Sequence, residues 1–168
     1  MSVHSAAAGS REAARLSSSM EDYLEAIALL DQEKGVARVK DISRMLKVTS
    51  PSVHGAIASL EREGLVRHEK YGYVELTARG ETLAAAVRER HQVFLRFLTL
   101  VLRIEPARAE RDSCRLEHAI GPETLKRLAK FIEFIETCPR QEVPSWLQSF
   151  HRYLETGKKP PCTREERP

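Results

Sequence analysis

The stretch "GVARVKDISRMLKVTSPSVHGAIASLEREGLV" constrains this 168-residue chain more than any other. Ile42, Met45 and Leu46 recur at helical spacing, and so do Val53, Ile57 and Leu60; such stripes mark helices that each bury one face. Between the two runs, Ser50 is suited to cap the second helix and Pro51 to its first turn, where no backbone N–H is needed. Gly64 closes that helix. Upstream, "SSSMEDYLEAIALLDQEKG" predicts another helix. Ser19 would cap it with Asp22 in the manner of a capping box, Leu24, Ile27 and Leu30 form its stripe, and Gly35 stops it. Downstream, "LVRHEKYGYVEL" alternates around Gly72 and predicts a hairpin with its tip at residues 69–72. Three helices followed by a hairpin make a winged helix-turn-helix. Thr49, Ser50, Ser52 and His54 cluster at the start of the third helix, where such folds read bases. The competing reading is a three-helix domain with a purely structural hairpin.

"TARGETLAAAVRERHQVFLRFLTLVLRI" predicts a long helix reaching about residue 102. Val93, Phe94, Phe97, Leu98 and Val101 give its second half an apolar surface broader than one winged domain needs, which suggests packing against a second copy. A helix around Cys114 and another over "PETLKRLAKFIEFIETCP" follow, and Pro139, Pro144 and "GKKPP" read as a loose tail. The organisation expected is a disordered Ala/Ser-rich arm over 1–18 and a winged helix-turn-helix over 19–78. An all-helical metal-binding and dimerisation domain over 79–137 and a tail over 138–168 complete it. The fold class is therefore mainly α with a small β-hairpin wing.

Composition is that of a soluble globular chain: 42% hydrophobic, 30% charged, net charge +3. The charge permits nucleic-acid binding without demanding it. The cysteines at 114, 138 and 162 show no disulfide framework and read as reduced thiols in the cytoplasm. The most apolar run, "VFLRFLTLVL", is ten residues long and includes Arg96, so it is too short to span a bilayer.

"SCRLEHAIG" puts a thiol, a carboxylate and an imidazole at i, i+3 and i+4, on one helical face: Cys114, Glu117 and His118. Asp22 and Glu25 share a face of the first helix, and His91 lies on the long one. Six potential ligands thus fall on three elements. The bland reading is a buried Cys beside an exposed Glu-His pair, a polar helix histidine, and acidic residues favoured near a helix N-terminus.

With these residues in place the chain resembles the DtxR/MntR family of metal-dependent transcriptional repressors, from about Ser19 to Cys138. "SSSMEDYLEAI" is similar to the family's first helix, "YGYVELTARG" to its wing, and "RERHQVFLRFL" with "CRLEHAIGPE" to its metal-binding region. The resemblance implies a cytoplasmic, non-enzymatic homodimer that binds a palindromic operator in double-stranded DNA and represses metal-uptake genes when loaded with Mn(II) or Fe(II). It implies Asp22, Glu25, His91, Glu117 and His118 as ligands in the manner of the manganese branch, and Cys114 in the manner of the iron branch. Leu95 and Glu110 depart from the iron branch's accessory site, so the sequence looks like a hybrid. Asp22, Cys114, Glu117 and His118 suit one divalent ion, and Glu25 with His91 a second bridged by Glu117; the thiolate shifts preference toward softer ions.

Ser50, Pro51, Ser52 and His54 are the expected base-side contacts, and Arg38, Lys40, Lys47 and Lys70 the phosphate contacts. Gly55 replaces a longer polar side chain usual in the family. The rival functions are a metal-independent winged-helix regulator and a metal-dependent hydrolase; the hydrolase would need an open metal position in a substrate cleft, which nothing in the pattern suggests.

Overall fold

The computed structural model describes residues 16–69, 72–137 and 143–159, and they divide into two compact units that meet between Arg90 and His91. In the first unit, α1 (Ser18–Lys34) is capped by Ser17, whose Oγ accepts from the Met20 N–H, and is stopped by Gly35 at φ 69°. The cap thus lies two residues before Ser19. Leu16, immediately ahead of it, packs against the core and fixes where the chain enters the helix.

β1 (Ala37–Arg38) leads into α2 (Val39–Leu46), and α3 (Ser50–Arg62) follows after a turn. That turn places Lys47 at φ 55°, a left-handed conformation. The Val48 N–H donates to the Ser43 carbonyl, and Ser43 Oγ donates back to the Val48 carbonyl at 2.6 Å. Thr49, not Ser50, caps α3: its Oγ1 accepts from the Ser52 N–H, so Ser50 and Pro51 are the first two helical residues. The structure also exposes Met45, one of the residues of the α2 stripe, whereas Ile42 is fully buried.

β2 (Val66–His68) and β3 (Tyr73–Leu76) form the expected hairpin, with Val66 opposite Leu76 and His68 opposite Val74. The sheet has a third strand that the sequence pattern did not reveal: β1 pairs antiparallel with β3, Ala37 opposite Val74. Two residues are too few to display an alternation. Leu24, Ile27, Ile42, Val53, Ile57, Leu60, Leu65, Val74 and Leu83 meet in one buried cluster, which ties all three helices to the wing and to α4 (Ala78–Arg96).

The start of α4 is held by short contacts. Thr77 Oγ1 donates to the Gly64 carbonyl at 2.8 Å and accepts from the Gly80 N–H at 3.1 Å. A Cβ on Gly80 would lie 2.0 Å from the Leu65 carbonyl oxygen, so only glycine fits there. Later in the helix, Arg90 forms a buried 2.7 Å ion pair with Glu21 of α1.

In the second unit the long helix changes pitch: Phe97–Val101 form a π-helical turn. α5 (Pro106–Leu116), α6 (Pro122–Glu136) and α7 (Ser145–Thr156) follow. The segment read as a loose tail therefore contains a helix, anchored by the fully buried Leu147. Val101, Ile132, Ile135 and Leu147 form the buried cluster, with Phe97, Phe131 and Phe150 packed against it. Part of the apolar surface that sequence assigned to a second copy is thus covered within this unit. Exposed apolar side chains lie elsewhere, among them Phe134 (66% exposed), Trp146 and Leu154. No helix among the described residues is long and apolar enough to cross a membrane.

Candidate metal centre and nucleic-acid interface

The second unit gathers most of the predicted ligands. α5 ends at Leu116, before the last two residues of the expected helical face, but Glu117 keeps helical dihedrals as its C-cap and donates its N–H to the Ser113 carbonyl. The i, i+3, i+4 arrangement therefore survives the helix end. Donor atoms of Cys114, Glu117 and His118 lie within 4.8 Å of one another. Cys114 is exposed, His118 half-buried and Glu117 buried.

Glu117 is the unusual member. A carboxylate taken out of water needs compensation on both oxygens. Oε2 lies 2.7 Å from His91 Nδ1, whereas Oε1 is buried and accepts no hydrogen bond. His118 Nε2 approaches Oε1 to 3.4 Å, an electrostatic contact without hydrogen-bond alignment. A divalent cation satisfies such an oxygen directly. A thiol, a carboxylate and an imidazole converging on it form a donor set that borderline ions accept. The residues present fit a metal ion.

His91, expected as a ligand, has carboxylates at both ring nitrogens: Glu117 Oε2 at Nδ1 and Glu110 Oε1 at Nε2, 3.1 Å away. In the first unit, Asp22 and Glu25 are half-buried on α1. Glu25 lines a cleft of about 570 Å³ with Gln32, Glu81 and Arg88, and Arg88 Nη1 donates to Gln32 Oε1 at 2.6 Å. Sequence reasoning missed Glu21, the buried partner of Arg90, although it adjoins Asp22; its only local signal was an acidic residue in a first turn that also reads as a dipole effect.

The expected DNA contacts on the first unit are all exposed where described: Arg38, Lys40, Lys47, Ser50, Pro51, Ser52 and His54. Lys70 lies outside the described residues. Ser52 Oγ is 2.9 Å from Thr49 Oγ1, so the cap also orients a hydroxyl at the helix start. His54 on α3 stands 6.1 Å, ring to ring, from His68 on β2, joining α3 to the wing. Arg38 Nη2 donates to Tyr73 Oη at 3.3 Å and its Cζ lies 5.1 Å from the Tyr73 ring centre, which holds this cation in place at the surface. Arg67 and His68 are further exposed candidates on the wing that the sequence reading did not select.

Comparison with known proteins bears on both units. A family model described as "Iron dependent repressor, N-terminal DNA binding domain" matches residues 15–74, and one described as "Iron dependent repressor, metal binding and dimerisation domain" matches residues 77–143. The transcriptional regulator MntR of Escherichia coli is 40% identical over 114 residues, covering 68% of this chain and 73% of that protein. The HTH-type transcriptional regulator MntR of Lysinibacillus sphaericus is 34% identical over 121 residues, covering 72% of this chain and 86% of that one. Among solved structures, IdeR of T. acidophilum superposes with a TM-score of 0.63 at 28% identity, over 74% of this chain and 59% of that chain.

Proposed function

The chain belongs to the iron-dependent repressor family of metal-dependent, DNA-binding transcriptional regulators, and from that premise we propose that Mn(II) or Fe(II) activates it as a homodimeric repressor of metal-uptake genes. The observation that carries the reading is the buried Glu117 oxygen that accepts no hydrogen bond inside a thiol–carboxylate–imidazole cluster. Asp22, Cys114, Glu117 and His118 hold the ion in this reading. The ion supplies a compact positive charge that these donors neutralise together. Cys114 as thiolate moves the preference toward Fe(II) and Co(II), and the hard carboxylates Asp22 and Glu117 keep Mn(II) acceptable.

Asp22 belongs to the same helix that packs on the helix-turn-helix core. A ligand set shared by α1 and the α5 end links occupancy to the placement of α3. Ligand that binds one arrangement better than others shifts the population toward it, and metal and operator then raise each other's affinity. In a two-fold dimer, two copies of α3 meet successive major grooves of a palindromic site. Ser50, Pro51, Ser52 and His54 face bases, and Arg38, Lys40 and Lys47 face phosphates. The relatives named as regulators of transcription, and the two family descriptions, support a binding protein rather than an enzyme.

The test is anaerobic fluorescence anisotropy with promoter DNA at fixed salt, in chelator, Mn(II), Fe(II) and Co(II), because phosphate contacts make affinity salt-dependent. Tight binding only with metal is expected. Cys114→Ala should lose at least about tenfold of the metal effect, in line with the cost of removing parts of metal sites, while leaving the fold intact. Equal binding in chelator would establish the metal-independent regulator instead.

A further inference from the structure

The far end of the long helix carries a cluster that neither the metal centre nor the DNA face uses. The π-helical turn over Phe97–Val101 takes the backbone out of α-helical register, and such turns concentrate at functional positions. His151 of α7 is buried against that turn, and its Nε2 donates to the Val101 carbonyl at 3.1 Å. A carbonyl only accepts, so Nε2 carries the proton and Nδ1 is left as an acceptor. Arg103 Nε donates to that Nδ1 at 3.2 Å. Arg103 holds φ 54°, a left-handed conformation that is unfavourable for any residue with a Cβ. Strain of this kind persists where the surroundings impose it, and it gathers at ligand clamps. The bond to His151 engages Nε alone, and the two Nη groups of Arg103 have no partner among the described residues.

Beside this pair lies a cavity of about 450 Å³, lined among the described residues by Arg103, Val143, Gln148, His151, Arg152 and Glu155. Its volume falls in the lower part of the range of small-ligand sites. The Arg152 guanidinium makes no ion pair among the described residues, although Glu155 follows three positions later on α7. Two guanidiniums against one carboxylate leave the cavity net positive. Gln148 Nε2 is spent on the Val143 carbonyl at 2.7 Å and fixes one wall. We propose that this cavity binds a small oxyanion, a carboxylate or a phosphate, held by Arg103 and Arg152. The planar forks of guanidinium groups match the paired oxygens of both anions. His151 is the positioning residue: by taking Nε it turns the Nη edge of Arg103 outward. Arg103 follows the long helix and Arg152 belongs to α7, so the anion ties those two elements together. Glu155 favours a small ligand, because an extended polyanion would bring further negative charge against it. The site lies within the second unit and does not depend on the metal centre.

The experiment uses the full chain without metal, so that no anion is drawn into metal complexes, at constant ionic strength balanced with chloride. Trp146 is the single tryptophan of the chain and lies on α7, two positions before Gln148, so its fluorescence reports on this helix. Malonate and inorganic phosphate are titrated separately, which distinguishes a carboxylate site from a phosphate site. A saturable change with at least one of them is expected, with a dissociation constant of about 1 mM or tighter. Arg152→Gln should weaken that binding at least about tenfold, as loss of a charge-assisted contact does. Arg103→Gly suits the left-handed backbone and should fold yet lose the response. Arg127→Gln removes an equal charge from the exposed surface of α6 and should keep it. Thermal unfolding in chloride alone checks that each variant is folded. No saturable response to either anion in wild type would overturn the proposal. A response unchanged in Arg152→Gln, or lost equally in Arg127→Gln, would overturn it too. None of these outcomes alters the reading of the metal centre.

Discussion

The two compact units solve the burial problem in opposite ways. The first closes a continuous apolar core in which Leu24, Ile27, Ile42, Val53 and Leu60 are fully buried, and its polar residues are mostly at the surface. Among the described residues the second gathers four buried apolar residues in its cluster, buries His91, Ser113, Glu117 and His151, and leaves Phe134, Trp146 and Leu154 exposed. Apolar burial is the main favourable term in folding, and buried polar groups cost unless paired. The first unit is therefore complete in itself. The second keeps a buried Glu117 oxygen that accepts no hydrogen bond and an exposed aromatic surface. That is the division of labour expected of a regulator whose reading head must be rigid and whose sensing half must respond to what it binds.

The comparison can be broken most forcefully at Gly80. Gly80→Ala drives a methyl into the Leu65 carbonyl and should destabilise the first unit by about 3 kcal/mol, the upper part of the range for overpacking. Urea denaturation followed by circular dichroism would show it; a loss under about 1 kcal/mol would mean that the junction of α4 with the wing adapts freely. On the second unit the same kind of change should have a different consequence. Phe134 is two-thirds exposed, so Phe134→Ser should leave unfolding within about 0.5 kcal/mol, as surface substitutions do, while weakening self-association. Sedimentation velocity over a concentration series measures that. An unchanged dimer constant would place the subunit contact elsewhere than this face of α6.

The smallest effect sharpens the picture of the first unit's surface. The hydrogen bond from Lys34, at 3.0 Å, holds the Asp41 carboxyl below its ordinary range, aided by the charge of Arg44. A carboxyl whose folded pKa is depressed adds stability above its unfolded value and loses it as pH falls through the folded one. The pair lies at the surface, with Lys34 exposed and Asp41 half-buried, so the contribution is slight. Lys34→Ala should lower stability slightly at neutral pH and flatten the acid limb of the stability–pH curve, the two proteins converging as Asp41 becomes protonated. An identical acid limb in the variant would show that the pair contributes nothing to folding.

Local chemistry made much of this legible. The apolar stripes of α1 and α3, the stops at Gly35 and Gly64, and the hairpin turning at Gly72 follow from periodicity and from glycine's tolerance of positive φ. The convergence of Cys114, Glu117 and His118 follows from the pitch of a helix, and it survived the helix ending two residues before the last member of the cluster. Where several residues of the same kind compete, sequence chose wrongly by one or two positions. Ser17 rather than Ser19 caps α1 because Leu16 docks on the core, and Thr49 rather than Ser50 caps α3 because the turn places Lys47 in the left-handed region.

What the sequence by itself determined, then, is everything governed by separations of a few residues: helices, turns, the reading head's outline, and which donor atoms share a face. Tertiary structure alone decided the contacts between residues far apart in the chain. It decided that β1 joins the wing sheet, that Glu21 meets Arg90, that Gly80 lies against Leu65, and that His91 meets Glu117 and Glu110. The reason is physical. Local geometry follows from backbone dihedrals that each residue carries with it, whereas a partner many residues away is selected by which packing of the whole buries the most apolar surface and leaves the fewest polar atoms alone.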